Sequence, residues 1–343
     1  MGKTIVCELT CQFEEAYEAF LSREKNALFY YSLKYRDFLL RIINGEGKYQ
    51  IVFDGEKITR ILPLVMIDGP LGVVVNSLPF FGSNGSVLAE TPEAETLLWK
   101  SYQDIIDREE IVASTVISNP FLSQDAPPIT FDEKDYRISQ STSLEFTKCA
   151  EEELMGILDS STRRNIRKAN KEGVVVTQEP EALSVLAEMN KENMTAIGGT
   201  AKPENFYENI GSFFTPYEDY NVYVARYEEK IISALLLFYF GNTVEYFVPG
   251  TLPDYKNKQP SAAIIFQAML DAFKKGYRRW NWGGTWVTQK GVLAFKRKWG
   301  AKDTKYSYFT TVKKQIIYNQ SPKALRSLYP FFYVVPFDAL KGK

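Results

Sequence analysis

The chain has 343 residues, of which 45% are hydrophobic and 24% are charged, and its formal net charge is −1. This balance is typical of a globular protein long enough for two ordinary domains, and the lack of net positive charge argues against DNA as a partner. There is no histidine, which excludes Ser-His-Asp and Cys-His catalysis and histidine-based zinc sites. The three cysteines are sparse and odd in number, so we expect no metal site and a reducing, cytoplasmic compartment.

The first half of the chain alternates short helical and extended patterns. Apolar residues recur at helical spacing over residues 13–21 and again over residues 29–43. Asp54-Gly55 predicts the turn of a hairpin. Strands are predicted at residues 51–53, 58–66, 73–75, 112–118 and 143–146. Residues 123–142 are polar and contain proline, which indicates a connecting segment. We therefore predict an α/β lobe over residues 1–150.

The pattern of the second half predicts another α/β lobe over residues 151–343. Its strands are predicted at residues 222–225, 231–240, 244–248, 278–282 and 306–311. A helix with an apolar face is predicted to begin at Pro260 and to be ended by Gly276. The loop before this helix lacks the G-x-G-x-x-G and Walker patterns, but the free amides of the helix N-terminus could still bind phosphate or carboxylate.

The segment Phe295-Lys296-Arg297-Lys298-Trp299-Gly300 combines cations with aromatic side chains, and we predict it to be a loop at the open end of the second sheet. A lysine beside aromatic rings is partly desolvated, so its ammonium could stabilise a developing oxyanion. The alternative is a solvated basic face on a surface helix. The paired Gly283 and Gly284 permit close backbone approach, as a substrate site requires.

A second basic segment covers residues 161–171. Cations four positions apart share a helix face, and the candidates for phosphate binding are Arg163, Arg164, Arg167 and Lys168. A solvated helix face remains the alternative. On the strand of residues 244–248, Tyr246 is favoured over Glu245 as a substrate anchor because a buried carboxylate needs a partner.

Several stretches of the second half together resemble the Fem-type peptidyltransferases, a branch of the acetyltransferase-like (GNAT) fold. They are residues 161–173 (STRRNIRKANKEG), 222–230, 244–251 (VEYFVPGT), 260–285 and 291–301 (GVLAFKRKWGA). Residues 78–85 (LPFFGSNG) resemble the amino-terminal lobe of the same family and add Phe81 and Asn84 as candidate substrate-binding residues.

The resemblance implies an α/β (α+β) fold of two tandem GNAT-like lobes, each a mixed twisted sheet flanked by helices, with a cleft between them and the first lobe on the acceptor side. It places the family's Phe-Lys pair at Phe295 and Lys296, the lysine stabilising the tetrahedral intermediate, and a site tyrosine at Tyr246. Val248 and Asn281 stand where the family has a second tyrosine and an acidic residue. The second half also shows no coiled-coil arm, which weighs against a tRNA donor.

We therefore expect an acyl- or aminoacyl-transferase that forms an amide on an amino group of a nucleotide- or lipid-linked precursor of peptidoglycan or an envelope polysaccharide. It would use acyl-CoA or aminoacyl-tRNA as co-substrate and hold no tightly bound cofactor. The rival hypothesis is a non-catalytic relative that keeps the fold and binds a glycan or a protein. The aromatic residues 329–337 are expected either to pack on the core or to contact a membrane surface.

Overall fold

The computed structural model describes residues 4–80, 84–89, 96–123, 126–147 and 150–340. The chain divides into two compact units: unit 1 contains Met1–Arg137 and Thr304–Lys343, and unit 2 contains Ile138–Asp303. The sequence placed a boundary near residue 150 and assigned everything after it to the second lobe. In the structure the last forty or so residues belong with unit 1, because the chain returns there after Asp303.

The amino-terminal part of unit 1 contains three helices and eight strands among the described residues. They are β1 (Thr4–Glu8), α1 (Glu14–Arg23), α2 (Leu33–Ile42), β2 (Glu46–Gly47), β3 (Gln50–Asp54), β4 (Lys57–Leu62), β5 (Val65–Gly69), β6 (Gly72–Asn76), β7 (Leu88–Ala89), α3 (Thr96–Ile106) and β8 (Ile111–Ile117). The hairpin predicted at Asp54-Gly55 is confirmed: Asp54 pairs with Lys57, and Gly55 has a φ of 65°. Only such a positive φ lets a two-residue loop follow the twist of its strands.

The core of unit 1 lies between its strands and α3. Strands β1, β3, β4 and β7 form one antiparallel sheet, and β8, β6, β5 and β2 are consecutive neighbours in a second. Every residue of β8 is buried, which explains its unbroken apolar character. Trp99 and Tyr102 of α3 pack into the cluster that includes Leu62 and Val75.

Unit 2 begins within strand β9 (Glu133–Ser143), which carries the chain out of unit 1. It continues with α4 (Ala150–Ile157), α5 (Ser160–Lys171), β10 (Val175–Gln178), α6 (Leu183–Ala196), α7 (Glu204–Phe213), β11 (Tyr220–Tyr227), β12 (Lys230–Phe240), β13 (Thr243–Thr251), α8 (Pro260–Lys274), β14 (Arg279–Thr285) and α9 (Lys290–Arg297). Its strands lie in the order β10-β11-β12-β13-β14-β9. The pair β13–β14 is parallel and joined by α8, while the other neighbours are antiparallel.

Two predictions for this unit are wrong in an informative way. The segment of residues 123–142, interpreted as a polar connection, contains most of β9, where Gln140 and Thr142 are buried. The amide N–H of Gln140 donates to Asp303 and the hydroxyl of Thr142 donates to the carbonyl of Trp299, so tertiary hydrogen bonds accommodate these polar side chains and local polarity was a poor guide. The predicted loop at Phe295-Lys296-Arg297 is instead the end of helix α9.

The chain returns to unit 1 through β15 (Lys302–Val312), which pairs with β8, and α10 (Pro322–Leu328) follows. The aromatic tail after α10 packs on unit 1: Tyr329, Val334 and Val335 are buried. The side chain of Asn76 bonds both the N–H and the carbonyl of Tyr333. Of the two alternatives for residues 329–337, packing on the core is the one observed. Among the described residues, no helix is both long enough and apolar enough to cross a bilayer.

Candidate active site

The site of unit 2 begins where two parallel strands part. Strand β13 pairs with β14 only through Thr243, Val244 and Glu245, opposite Arg279, Trp280 and Asn281. Both strands continue beyond that point without further pairing to each other. The register of β13 against β12 also shifts at Tyr246–Val248, which is the signature of a bulge at Phe247. Parting parallel strands leave a crevice at their carboxyl ends, which is where α/β sheets bind ligands.

A cavity of about 510 Å³ opens beside the end of β13. That volume is within the range of small-molecule sites. Five helices and strands contribute its walls: Ser161, Thr162 and Asn165 from α5, Asn190, Asn193 and Met194 from α6 with Ile197 beyond it, Pro249–Thr251 from β13, Gln259–Ala262 at the start of α8, and Phe295 from α9. Lys298 and Trp299 after α9 and Lys256 before α8 complete the walls.

The amino terminus of α8 lies in the wall of this cavity. Gln259 has a φ of 59° and Pro260 occupies the first turn, so the chain reverses sharply and begins the helix at once. The hydroxyl groups of Thr251 and Ser261 are 2.8 Å apart and join the end of β13 to this turn. The helix dipole and the ammonium groups of Lys256 and Lys298 make this end of the cavity positive.

Gly250 allows β13 to approach α6 closely. A Cβ atom at this position would lie 2.8 Å from Cβ of Met189 and 3.1 Å from Cδ1 of Leu186. The methyl group has no room unless α6 moves, and α6 supplies Asn190 and Asn193 to the cavity wall. Gly250 is therefore a packing residue of the site, which the sequence marked only as part of a loop.

We expect Gly250→Ala to lower the free energy of unfolding by about 1–3 kcal/mol, the usual cost of overpacking. The matched control is Gly211→Ala in α7, where a Cβ would meet only the hydroxyl of Tyr220 at 4.0 Å. Urea unfolding of both variants measures the difference. Equal stabilities for the two variants would contradict the close packing of α6 on β13.

Lys296 extends from α9 toward the end of β14 that no longer pairs with β13. Its Nζ donates to the carbonyl oxygen of Trp282 at 2.8 Å, to that of Gly283 at 3.3 Å and to Oγ1 of Thr285 at 2.7 Å. The side chain is only 6% exposed, and burial lowers its pKa to about 8. The three acceptors stabilise the charged form and oppose this effect of desolvation. Lys296 is therefore an ammonium group with a fixed position and a pKa close to neutral pH.

The neighbour of Lys296 faces the other way. Phe295 is 40% exposed and lines the cavity, and its ring contacts those of Trp282 and Trp299. Tyr246 packs on the rings of Trp280 and Trp282, with centroids 6.2 and 4.9 Å away, and burial raises the pKa of its hydroxyl. The structure therefore brings Phe295, Lys296 and Tyr246 together around Trp282, which the sequence did not single out.

The paired glycines shape β14. Gly283 has a φ of 70°, and the pairing of β14 with β9 shifts register between Asn281 and Gly284. This bulge presents the carbonyls of Trp282 and Gly283 to Lys296. The side chain of Asn281 accepts from the N–H of Gly283 and donates to the buried carboxylate of Glu245. Gly283 and Gly284 thus determine where the acceptors of Lys296 lie.

The basic face predicted for residues 161–171 does not line the cavity. Arg163 donates through Nη1 to the carbonyls of Leu158 and Met155, so it caps the end of α4. Arg164, Arg167 and Lys168 are exposed on α5. An adjacent face of the same helix supplies Ser161, Thr162 and Asn165 to the cavity.

The two candidates from the amino-terminal segment belong to unit 1. Phe81 lies outside the described residues. Asn84 is buried and donates to the carbonyl of Ser118. The side chains that sequence reasoning missed are mainly Asn190 and Asn193 of α6. Asparagines on an otherwise apolar helix face were a signal, since a buried amide needs a partner.

Residues 159–297 match the family model described as the acetyltransferase (GNAT) domain. The structure is similar to FemX, with a TM-score of 0.68, 14% identity and coverage of 92% of this chain and 99% of FemX. It is also similar to the C-terminal DUF2156 domain of a proposed lysylphosphatidylglycerol synthetase from Agrobacterium fabrum (TM-score 0.54, 10% identity, 94% and 99% coverage). A tandem GNAT protein from the clavulanic acid biosynthesis pathway gives a TM-score of 0.51 at 10% identity, with 90% and 98% coverage. No curated protein sequence matches the chain. The predicted α/β fold of two tandem GNAT-like lobes is confirmed.

Proposed function

Because residues 159–297 carry the GNAT domain of acyl-transferring enzymes, we propose that the protein acylates or aminoacylates an amino group of a cell-envelope precursor. The acceptor would be a nucleotide- or lipid-linked precursor of peptidoglycan or polysaccharide, and the reaction would take place in the cytoplasm. One observation carries the proposal: the cavity beside the carboxyl end of β13 combines cationic side chains with an aromatic wall.

The positive end of the cavity suits the phosphate groups of the donor. Acyl-CoA and aminoacyl-tRNA both carry phosphate groups, and the start of α8 with Lys256 and Lys298 offers amides and ammonium groups. Phe295 and Trp299 would line the path of the acyl chain. The limited volume, about 510 Å³, favours the thin arm of a small thioester over the end of a tRNA.

In the reaction, the acceptor nitrogen attacks the carbonyl carbon of the donor. A C–N bond forms, the C–S bond of a thioester or the C–O bond of an aminoacyl ester breaks, and the proton from the amine leaves with the thiol or hydroxyl. Negative charge develops on the carbonyl oxygen, and Lys296 would stabilise it. The contact of Lys296 with Gly283 O is the longest of its three at 3.3 Å, and it is the one that an oxyanion would replace.

We expect acetyl-CoA or a longer acyl-CoA to raise the melting temperature of the purified protein, because a ligand that binds only the native state stabilises it. The double variant Lys256→Gln/Lys298→Gln should weaken this binding about tenfold or more, by removing two charges from the cavity wall. Lys274→Gln, at an exposed lysine of α8, is the matched control.

A tRNA donor would give a different result in the same assay. Charged tRNA, and no CoA, would then shift the melting temperature, and binding would fall steeply with salt. If neither CoA nor charged tRNA binds, the proposed transferase activity is wrong.

One observation favours the second candidate, a non-catalytic glycan- or protein-binding relative. Lys296 already contacts three acceptors of β14, and it is not among the side chains that line the cavity. A lysine with only this role would anchor α9 on β14. Turnover measurements on the Lys296 variants described below separate the two candidates.

A further inference from the structure

Two exposed apolar side chains line the cavity, and three more belong to the chain segment that ends at one of them. We name this group the mouth patch: Ile197, Trp286, Val287, Val292 and Phe295. Ile197, which is 75% exposed, and Phe295 both line the cavity. The other three lie in the ten residues that end at Phe295. Four of the five exposed apolar residues therefore lie in one short segment that reaches the cavity wall at Phe295.

Helix α9 has apolar residues on two faces. Leu293 is buried together with Lys296, as expected for the face that packs on β14. Val292 and Phe295 are three positions apart, on a second face that is exposed. A surface helix normally turns polar residues to water, so this second apolar face indicates contact with something other than water.

The single exposed tryptophan points in the same direction. The chain has five tryptophans, and Trp99, Trp280, Trp282 and Trp299 are at most 2% exposed. Trp286 is 44% exposed. Tryptophan is favoured at the boundary between water and lipid, where its ring is amphipathic.

Residues 286–302 supply four of the five residues of the mouth patch, and the charged side chains of this segment are all positive. Residues 286–302 contain no aspartate or glutamate, although the whole chain has a net charge of −1. Lys290, Arg297, Lys298 and Lys302 are exposed there. Arg297 is paired with Asp303, which leaves three lysines as the main source of positive charge.

We propose that unit 2 binds the surface of an anionic lipid bilayer through the mouth patch. The apolar side chains would enter the headgroup region, and the neighbouring cations would contact lipid phosphates. The inference rests on the proposed function in one respect. Because the cavity entrance would face the membrane, a lipid-linked acceptor is favoured over a nucleotide-linked one. A protein partner is a poorer fit because lysine is depleted in protein interfaces.

The test uses the purified chain with vesicles of phosphatidylcholine, with and without phosphatidylglycerol. We expect flotation with the anionic vesicles, reduced by high salt, and a blue shift of tryptophan emission that comes from Trp286. Trp286→Ser/Val292→Ser should lower the apparent partition coefficient about tenfold or more. Neither residue lines the cavity.

The matched control is Val175→Ser/Tyr217→Ser, which removes two equally exposed apolar side chains elsewhere in unit 2. Lys290→Glu should weaken binding to anionic vesicles and leave circular dichroism unchanged. The proposal is overturned by equal binding of the mouth-patch and control variants, by no binding to any vesicle, or by self-association of the chain through the patch.

The donor assay keeps this inference apart from the proposed function. Acyl-CoA binding without vesicle binding would overturn the membrane contact alone. Vesicle binding that depends on Trp286 and Val292, without binding of either donor, would overturn the transferase and keep the membrane contact.

Discussion

Lys296→Met is expected to lower turnover by about a hundredfold or more with the fold intact, because methionine keeps the length of the side chain but cannot stabilise an oxyanion. The lost donor also leaves the carbonyls of Trp282 and Gly283 and the hydroxyl of Thr285 short of a partner. That should cost about 1–3 kcal/mol of stability, which urea unfolding measures. Turnover is measured with whichever donor the thermal-shift assay identifies.

Two further variants make the result interpretable. Lys274→Met applies the same substitution to an exposed lysine of α8 and should leave turnover unchanged. Lys296→Arg keeps the positive charge but places it at a different distance from the backbone. It should therefore recover more of the stability than of the turnover that Lys296→Met loses. If Lys296→Met loses stability while its folded fraction keeps full turnover, Lys296 is only an anchor for α9, and the assignment as the catalytic lysine fails.

The pH dependence of the wild-type protein has opposite signs for stability and turnover. The folded pKa of Lys296, about 8, is lower than its unfolded value near 10.5. Between these values the unfolded chain binds more protons, so the contribution of Lys296 to stability rises with pH and is flat below pH 8. Turnover should fall above pH 8, since the charged form is the one that stabilises an oxyanion. Lys296→Met should show neither trend.

The second large effect is expected for Asn281→Asp. Asn281 and Glu245 are each 1% exposed, and the amide of Asn281 donates to Oε2 of Glu245 at 2.8 Å. An aspartate there would put a second carboxylate against a buried one and remove the donor. We expect a loss of about 3–5 kcal/mol at neutral pH, comparable to breaking a buried ion pair.

The loss should shrink on acidification. Two adjacent carboxylates raise each other's pKa, so the folded variant binds protons at a higher pH than the unfolded chain does. Urea unfolding of Asn281→Asp and wild type at several pH values tests this. Asn170→Asp, at an exposed asparagine of α5, is the control. A variant as stable as wild type would show that the site accepts the acidic residue of the Fem-type family, and the proposed Asn281–Glu245 contact would be wrong.

Much of unit 2 could be predicted because its signals are local. The apolar run of β12, the turn after it, and α8 between Pro260 and Gly276 are all read from spacing and turn residues. The strands predicted at residues 222–225 and 231–240 leave room for the turn between β11 and β12 where the structure has it, although Glu228 and Glu229 both adopt positive φ without any glycine. Flanking strands of strong β propensity were enough to determine the turn's position.

The amino-acid sequence by itself determined most strands of both units, the apolar face of α8, and the Phe-Lys pair that carries its family resemblance. Only the tertiary structure decided which way each polar side chain of the site turns. Arg163 caps α4, Lys296 bonds the backbone of β14, and the asparagines of α6 reach the cavity. Periodicity identifies the residues that share a face, but the partner of a buried polar group comes from a distant segment and is specified only when the elements pack.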